Sequence, residues 1–140
     1  MLEGINDLGV ANREHPSAEV RRALVGRLEA AYLRMVAAAH AKGINVIGGT
    51  LLPDGGTSTY PTTPADEQMR QSLNTWIRRR GHFDAVADFD VALRDPLRPE
   101  RLLPAYDCGD HLHPSPAGYR VMAEAVPLDV IEAASSARTH

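Results

Sequence analysis

Apolar residues return along the chain in two periods, and their alternation lays out a fold. Over residues 20–42, Val20, Leu24, Leu28, Ala31, Met35 and Ala39 recur at spacings of three and four, one stripe of an amphipathic helix. Ser17 stands at its N-cap position and Gly43 at its left-handed C-terminal stop. Residues 44–52 are rich in β-branched side chains and end at Pro53, which predicts a strand. The Gly-, Thr- and Pro-rich run over 53–64 predicts a loop long enough to carry function. Met69, Leu73, Trp76 and Ile77 mark a second helix stopped by Gly81, and residues 83–89 a second strand. A short helical turn is expected over 90–94 and irregular chain over 97–109, interrupted by Pro99 and Pro104. A last helix begins at Pro116 with Ser115 as its cap and runs through Tyr119, Met122, Ala123 and Val126. Residues 133–140 read as a frayed tail.

Helix, strand, helix, strand, helix is the order of an α/β layered sheet with parallel strands. Two strands cannot make a parallel sheet covered on both faces. The residues before Gly4 therefore read as the end of a third strand, and residues 1–132 as the C-terminal portion of one larger domain. No repeat or internal boundary interrupts it.

The 140 residues suffice for one domain, and 15 basic against 18 acidic side chains leave a net charge of -3. That balance argues against a nucleic-acid partner, which would show a basic excess on one face. The run Arg78-Arg79-Arg80 is short and sits at an expected helix C-terminus, where cations suit the dipole. No apolar run reaches the ~20 residues of a membrane span, and nothing near Met1 reads as a signal peptide. The compartment stays open. A single cysteine, Cys108, excludes an intrachain disulfide and a multi-cysteine metal site, and is expected to serve as a small buried side chain.

Two polar, glycine-flanked segments fall at junctions between elements. One is Gly4-Ile5-Asn6-Asp7-Leu8-Gly9, expected as a turn; the other is Asp107-Cys108-Gly109-Asp110-His111-Leu112-His113-Pro114. Loops at the carboxyl ends of parallel strands converge on one crevice, so both can line one site. Asp110 and His113, three apart on a turn, can place a carboxylate against Nδ1 of the imidazole and leave Nε2 as a base. Asn6 can donate from its amide to a developing oxyanion. Base, orienter and oxyanion donor belong to acyl transfer; a nucleophile is missing from the set.

Gly4-x-Asn6-Asp7 and Asp110-x-x-His113 resemble the third and fifth sequence blocks of the SGNH (GDSL-type) serine hydrolases. Residues 41–48, 88–96 and 109–119 are also similar to bacterial esterases of that family, in the same order along the chain. The resemblance implies a flavodoxin-like three-layer α/β/α fold and hydrolysis of a small-molecule, glycan or lipid acyl ester with no metal or organic cofactor. It implies His113 as general base, Asp110 as its partner, Asn6 with Gly4 at the oxyanion, and Asp7 in support of the turn. The family's first block, a Gly-Asp-Ser bearing the nucleophile, and its second block are absent here, as expected of an N-terminally truncated domain.

Other readings compete. A substitute nucleophile would have to be Ser17, Ser58, Ser72, Ser115, Ser135, Ser136 or Cys108, none of which stands in a nucleophile turn. Asp110, His111 and His113 could begin a metal shell, but His15, His40 and His82 are too scattered to complete it. The alternative of another class is a non-catalytic product that binds a ligand or assembles. Bare helix faces and a bare strand edge would favour a homo-oligomer or domain-swapped dimer.

Overall fold

The computed structural model describes residues 1–131; the frayed tail expected over 133–140 lies outside the described residues. In chain order the elements are α1 (Ile5–Asn12), α2 (Ala18–His40), β1 (Ile47–Gly49), α3 (Pro64–Ile77), β2 (Ala85–Ala87), α4 (Phe89–Leu93), β3 (Arg94–Asp95), β4 (Arg98–Leu102) and α5 (Pro116–Glu124). The helix starts follow local chemistry. Ser17 Oγ accepts from Val20 N–H and Ser115 Oγ from Gly118 N–H, while Thr63 and Asp66 cap α3 reciprocally in front of Pro64. None of the described helices is long and apolar enough to cross a membrane.

β1 and β2 pair in parallel, with Ile47 beside Ala85 and Gly49 beside Ala87. On the other edge of β1 the Met1 amino group donates to Ile47 O at 2.6 Å, and Gly49 N donates to Met1 O at 2.7 Å. That exchange is a parallel ladder step, so the first residue takes a strand's place. Successive residues of a strand point to opposite faces, and the two glycines of β1 show what covers each. A Cβ on Gly48 would lie 2.6 Å from the Phe83 ring, and one on Gly49 would lie 2.7 Å from the Phe89 ring. Phe83 belongs with Tyr32 of α2 and Trp76 of α3, on which it stands edge-on. Phe89 opens α4, which contacts α5. Helices thus lie on both faces of the sheet, the three layers of an α/β/α fold.

The core gathers Leu8, Leu24, Val25, Tyr32, Leu51, Met69, Leu73, Trp76 and Ile77. Its stripe on α2 is rotated from the expected one: Leu24, Val25, Tyr32 and Val36 are buried, while Val20 and Met35 are 49% and 40% exposed. Tyr32 claims the centre because its ring fills the space between Trp76 and Phe83, and its hydroxyl reaches the backbone of Glu3.

The other departures also have local causes. The strand expected over 44–52 ladders only at Ile47–Gly49, because side chains of α3 take over the backbone groups of Leu51. The strand expected over 83–89 stops at Ala87, where Asp88 turns to cap α4. The stretch read as irregular over 97–109 contains an antiparallel hairpin, β3 with β4, whose turn is fixed by Asp95 Oδ1 accepting from Leu97 N. The Gly4–Gly9 segment, expected as a turn, is the first part of α1. Gly4 at φ +102 is its left-handed N-cap, and Gly9 lies within the helix.

Candidate functional site

Three short segments at one end of the sheet converge: the start of α1, the residues just beyond β1, and the loop before α5. Each is held by different bonds. The approach to α1 is pinned by Tyr32, whose hydroxyl accepts from Glu3 N at 3.0 Å and donates to Glu3 O at 2.7 Å. Gly4 then turns the chain, and Asn6 stands exposed in the first turn of the helix.

Beyond β1, Leu51 is held by polar side chains of α3. Asn74 accepts from Leu51 N at 2.7 Å and donates to Leu51 O at 2.9 Å, and Arg70 Nη1 donates to the same carbonyl at 2.7 Å. Arg70 is 1% exposed, and its charge is balanced by Glu67 on one side and fully buried Asp90 on the other. Asp90 also receives Arg78, which binds Asp88. This network keeps a polar backbone segment fixed against the core with every buried side-chain donor and acceptor among the described residues partnered. Arg70 and Asn74 escape a reading of apolar spacing, although they share the buried face of Leu73 and Ile77.

The loop before α5 folds on itself. Asp107 and Pro114 form an antiparallel bridge, and Cys108 N donates to His113 O at 3.1 Å. Inside it stand two carboxylate–imidazole pairs. Asp107 Oδ1 accepts from Gly109 N and His111 N while Oδ2 meets His111 Nδ1. Asp110 Oδ1 accepts from Leu112 N at 2.9 Å and His113 N at 2.8 Å, and Oδ2 meets His113 Nδ1 at 2.6 Å. Hydrogen bonds from the His113 side chain, the His113 N–H and the Leu112 N–H hold the Asp110 carboxyl far below the usual carboxylate range. A carboxylate on Nδ1 fixes the neutral ring as the Nδ1–H tautomer, which puts the free lone pair on Nε2. Asp107 is lowered as well: burial opposes the shift, and the Gly109 N–H and His111 outweigh it.

Asn6 and His113 line one hollow of about 210 Å³, with apolar walls from Leu2, Ile5, Leu51, Leu52, Leu112 and Met122. Of the residues singled out in the sequence, Asn6, His113 and, through His113, Asp110 come together. Gly4 is buried behind them with its carbonyl used by Leu8 N, and Asp7 faces the separate groove shared with Val10, Val20 and Leu24. Among the described residues no serine lines the hollow: Ser17 and Ser115 are caps, Ser72 bonds back to Gln68 O, and Ser58 is exposed on its loop. Ser135 and Ser136 lie outside the described residues.

Cys108, expected to be buried, is exposed; its thiol hydrogen-bonds Asp110, and its place on a polar loop leaves no apolar wall to cover it. The ligand-type atoms that cluster among the described residues are those of Asp107, Cys108 and Asp110, within 4.8 Å of one another. Both carboxylates of that cluster are already bound by backbone N–H groups and a histidine. His82 is occupied elsewhere, stacked on Trp76 at 4.0 Å, and His40 is bonded to Asp84.

One partner of Asn6 is not legible in the sequence. Tyr60, from the loop after β1, donates its hydroxyl proton to Asn6 Oδ1 at 2.9 Å. The two residues are 54 positions apart.

Comparison with known proteins gives a consistent picture of the fold. The family model described as GDSL-like Lipase/Acylhydrolase matches residues 1–121. A GDSL-like lipase of Bacteroides thetaiotaomicron VPI-5482 superposes with a TM-score of 0.60 at 21% identity, covering 81% of this chain and 53% of that one. A protein of Bacteroides fragilis NCTC 9343, provisionally described as an acylhydrolase, gives 0.61 at 24% identity with the same two coverages. A Desulfitobacterium hafniense DCB-2 protein, provisionally described as lipolytic and of the G-D-S-L family, gives 0.52 at 19%, covering 84% of this chain and 58% of its own. The chain therefore spans about half the length of the solved structures it matches. No curated protein sequence matches it.

Proposed function

Because the chain belongs to the GDSL-like lipase/acylhydrolase family, we propose that it carries the base and the oxyanion donor of a serine-type ester hydrolase. The observation that supports this most is the pairing of His113 Nδ1 with Asp110 Oδ2 at 2.6 Å beside an Asn6 that lines the same hollow. In this reading His113 Nε2 takes the proton of a serine hydroxyl as that oxygen attacks the ester carbonyl. The Asn6 amide donates to the carbonyl oxygen as it becomes negative, and the collapsing intermediate expels the alcohol, protonated by His113. Water then repeats the sequence on the acyl-enzyme. Asp110 stays ionised and stabilises the imidazolium formed at each proton transfer.

The nucleophile is not among the residues that line the hollow, so the reaction needs a serine from the family's Gly-Asp-Ser block. The test is hydrolysis of p-nitrophenyl acetate and butyrate by the chain alone and with a segment bearing that block, supplied in trans or fused before Met1. The expected result is hydrolysis that rises with the segment and disappears in His113→Ala. No gain from the segment, with His113 intact, would overturn the mechanism.

A further inference from the structure

Tyr60 lies along a single face of α1. Its hydroxyl reaches Asn6, its ring covers Gly9 so closely that a Cβ there would overlap the ring carbons, and the Arg13 guanidinium stands 5.3 Å from the ring centroid. Positions 6, 9 and 13 are three and four residues apart, the spacing that stacks side chains on one helical face. Arg13 fixes the same loop a second time, donating from Nη2 to Thr59 O at 3.0 Å. The glycine inside the helix, which costs helix stability, is thereby explained: only a residue without a side chain leaves room for the ring.

We propose that Tyr60 is a positioning residue that sets which end of the Asn6 amide faces the reacting ester. The inference rests on the reading of Asn6 as oxyanion donor. A primary amide on an exposed side chain can turn over, presenting its N–H pair or its carbonyl oxygen. The carbonyl end would oppose a developing negative charge. With Oδ1 engaged by the Tyr60 hydroxyl, the amide is held with Nδ2 turned away from the loop; Nδ2 makes no hydrogen bond to the described residues. One hydrogen bond of ordinary strength biases such an equilibrium about 3–10-fold. The loop over 53–63 is in this way wired to the oxyanion donor.

The experiment compares Tyr60→Phe, Asn6→Ala and their combination, with Gly9→Ala as a variant that displaces the ring without touching the hydroxyl chemistry. The Asn6 side-chain carbonyl carbon is followed by NMR in the chain itself, and ester hydrolysis in the form completed by the Gly-Asp-Ser segment. Tyr60→Phe and Gly9→Ala are each expected to move the Asn6 Cγ resonance upfield and to lower kcat about 3–10-fold. KM and the pH profile should stay unchanged, because acyl binding and the base are untouched. In the Asn6→Ala background Tyr60→Phe should have no further effect. A kcat loss that persists in that background, or an Asn6 resonance indifferent to Tyr60→Phe, overturns the proposal while leaving the role of Asn6 intact. Hydrolysis unaffected by Asn6→Ala removes that role and the proposal with it.

Discussion

Asp54 offers the sharpest quantitative test of the architecture around the loop after β1. It is 4% exposed, and burial pushes its carboxyl from an ordinary 3.8 up to about 6, with the Arg70 cation pulling the other way and Glu67 adding to the rise. A carboxyl that binds its proton more tightly in the folded than in the unfolded chain makes stability fall as pH rises between the two values. Below about pH 4 the group is protonated in both states and contributes nothing. Above about pH 6 the folded protein carries a buried charge that the unfolded chain would solvate. A displacement of roughly two pH units corresponds to about 3 kcal/mol.

Asp54→Asn removes this penalty with little change of shape. Fitting the amide carries its own cost, but that cost does not vary with pH and cancels between two pH values. The quantity to measure is therefore the stability difference between Asp54→Asn and the parent, from urea unfolding followed by fluorescence of the single tryptophan, Trp76. Between pH 4 and pH 8 that difference should shift in favour of the variant by about 2–3 kcal/mol. Asp66, Asp84 and Asp88 have the opposite sign, since their lowered carboxyls lose stability on acidification, and they are common to both proteins. A pH-independent difference would refute the assignment of Asp54 as a buried charge.

Other expectations follow from single contacts. Arg70→Met removes one of the two guanidinium groups that bond fully buried Asp90 and one of the two side-chain donors to Leu51 O; a loss of about 3–5 kcal/mol in the same unfolding assay is expected. Asp110→Asn keeps an acceptor for the Leu112 and His113 N–H groups but loses the charge beside His113, and should lower hydrolysis by the completed enzyme about 10–100-fold with KM unchanged. That range sits below the loss known for buried triads because Asp110 is 43% and His113 63% exposed. Gly48→Ala places a methyl 2.6 Å from the Phe83 ring and should cost about 1–3 kcal/mol, read as a fall in Tm.

What the sequence discloses of the site depends on how far apart the interacting residues stand. The Asp110–His113 pair is legible because all of its bonds close within three residues. The caps at Ser17 and Ser115 are legible for the same reason. Tyr60 is not, because nothing in a Gly-, Thr- and Pro-rich loop says that its aromatic will lie on a helix that began 55 residues earlier. Gly9 gives no signal either, because a segment bracketed by Gly4 and Gly9 reads as a turn and not as the helix on which the ring lies. The ladders at Ile47–Gly49 and Ala85–Ala87 are shorter than the apolar runs that contain them, because an apolar run records burial and not ladder pairing. Leu51 is buried like a strand residue, yet its backbone is bonded by Asn74 and Arg70. Those two polar residues lie on the stripe of Leu73 and Ile77, where a scan for apolar positions passes over them.

The two walls of the hollow are consequently held by different physics. The His113 wall is self-contained: a bridge between Asp107 and Pro114 and two carboxylates bonded within their own loop. The Asn6 wall depends on partners 29 and 54 residues distant, Tyr32 holding the approach to α1 and Tyr60 the amide itself. The exposed bond from Tyr60 to Asn6, made by a loop and not by the core around Tyr32, is of the kind that opens first when a structure is loosened locally. The Tyr60 loop also contains Asp54, whose ionisation works against burial. The strain of that buried charge and the orientation of the Asn6 amide therefore meet in one segment. Mild destabilisation should disturb the Asn6 wall while the Asp110–His113 pair stays formed, so that activity of the completed enzyme falls in kcat before Trp76 reports unfolding. Simultaneous loss of both signals would mean that the two walls open as one unit.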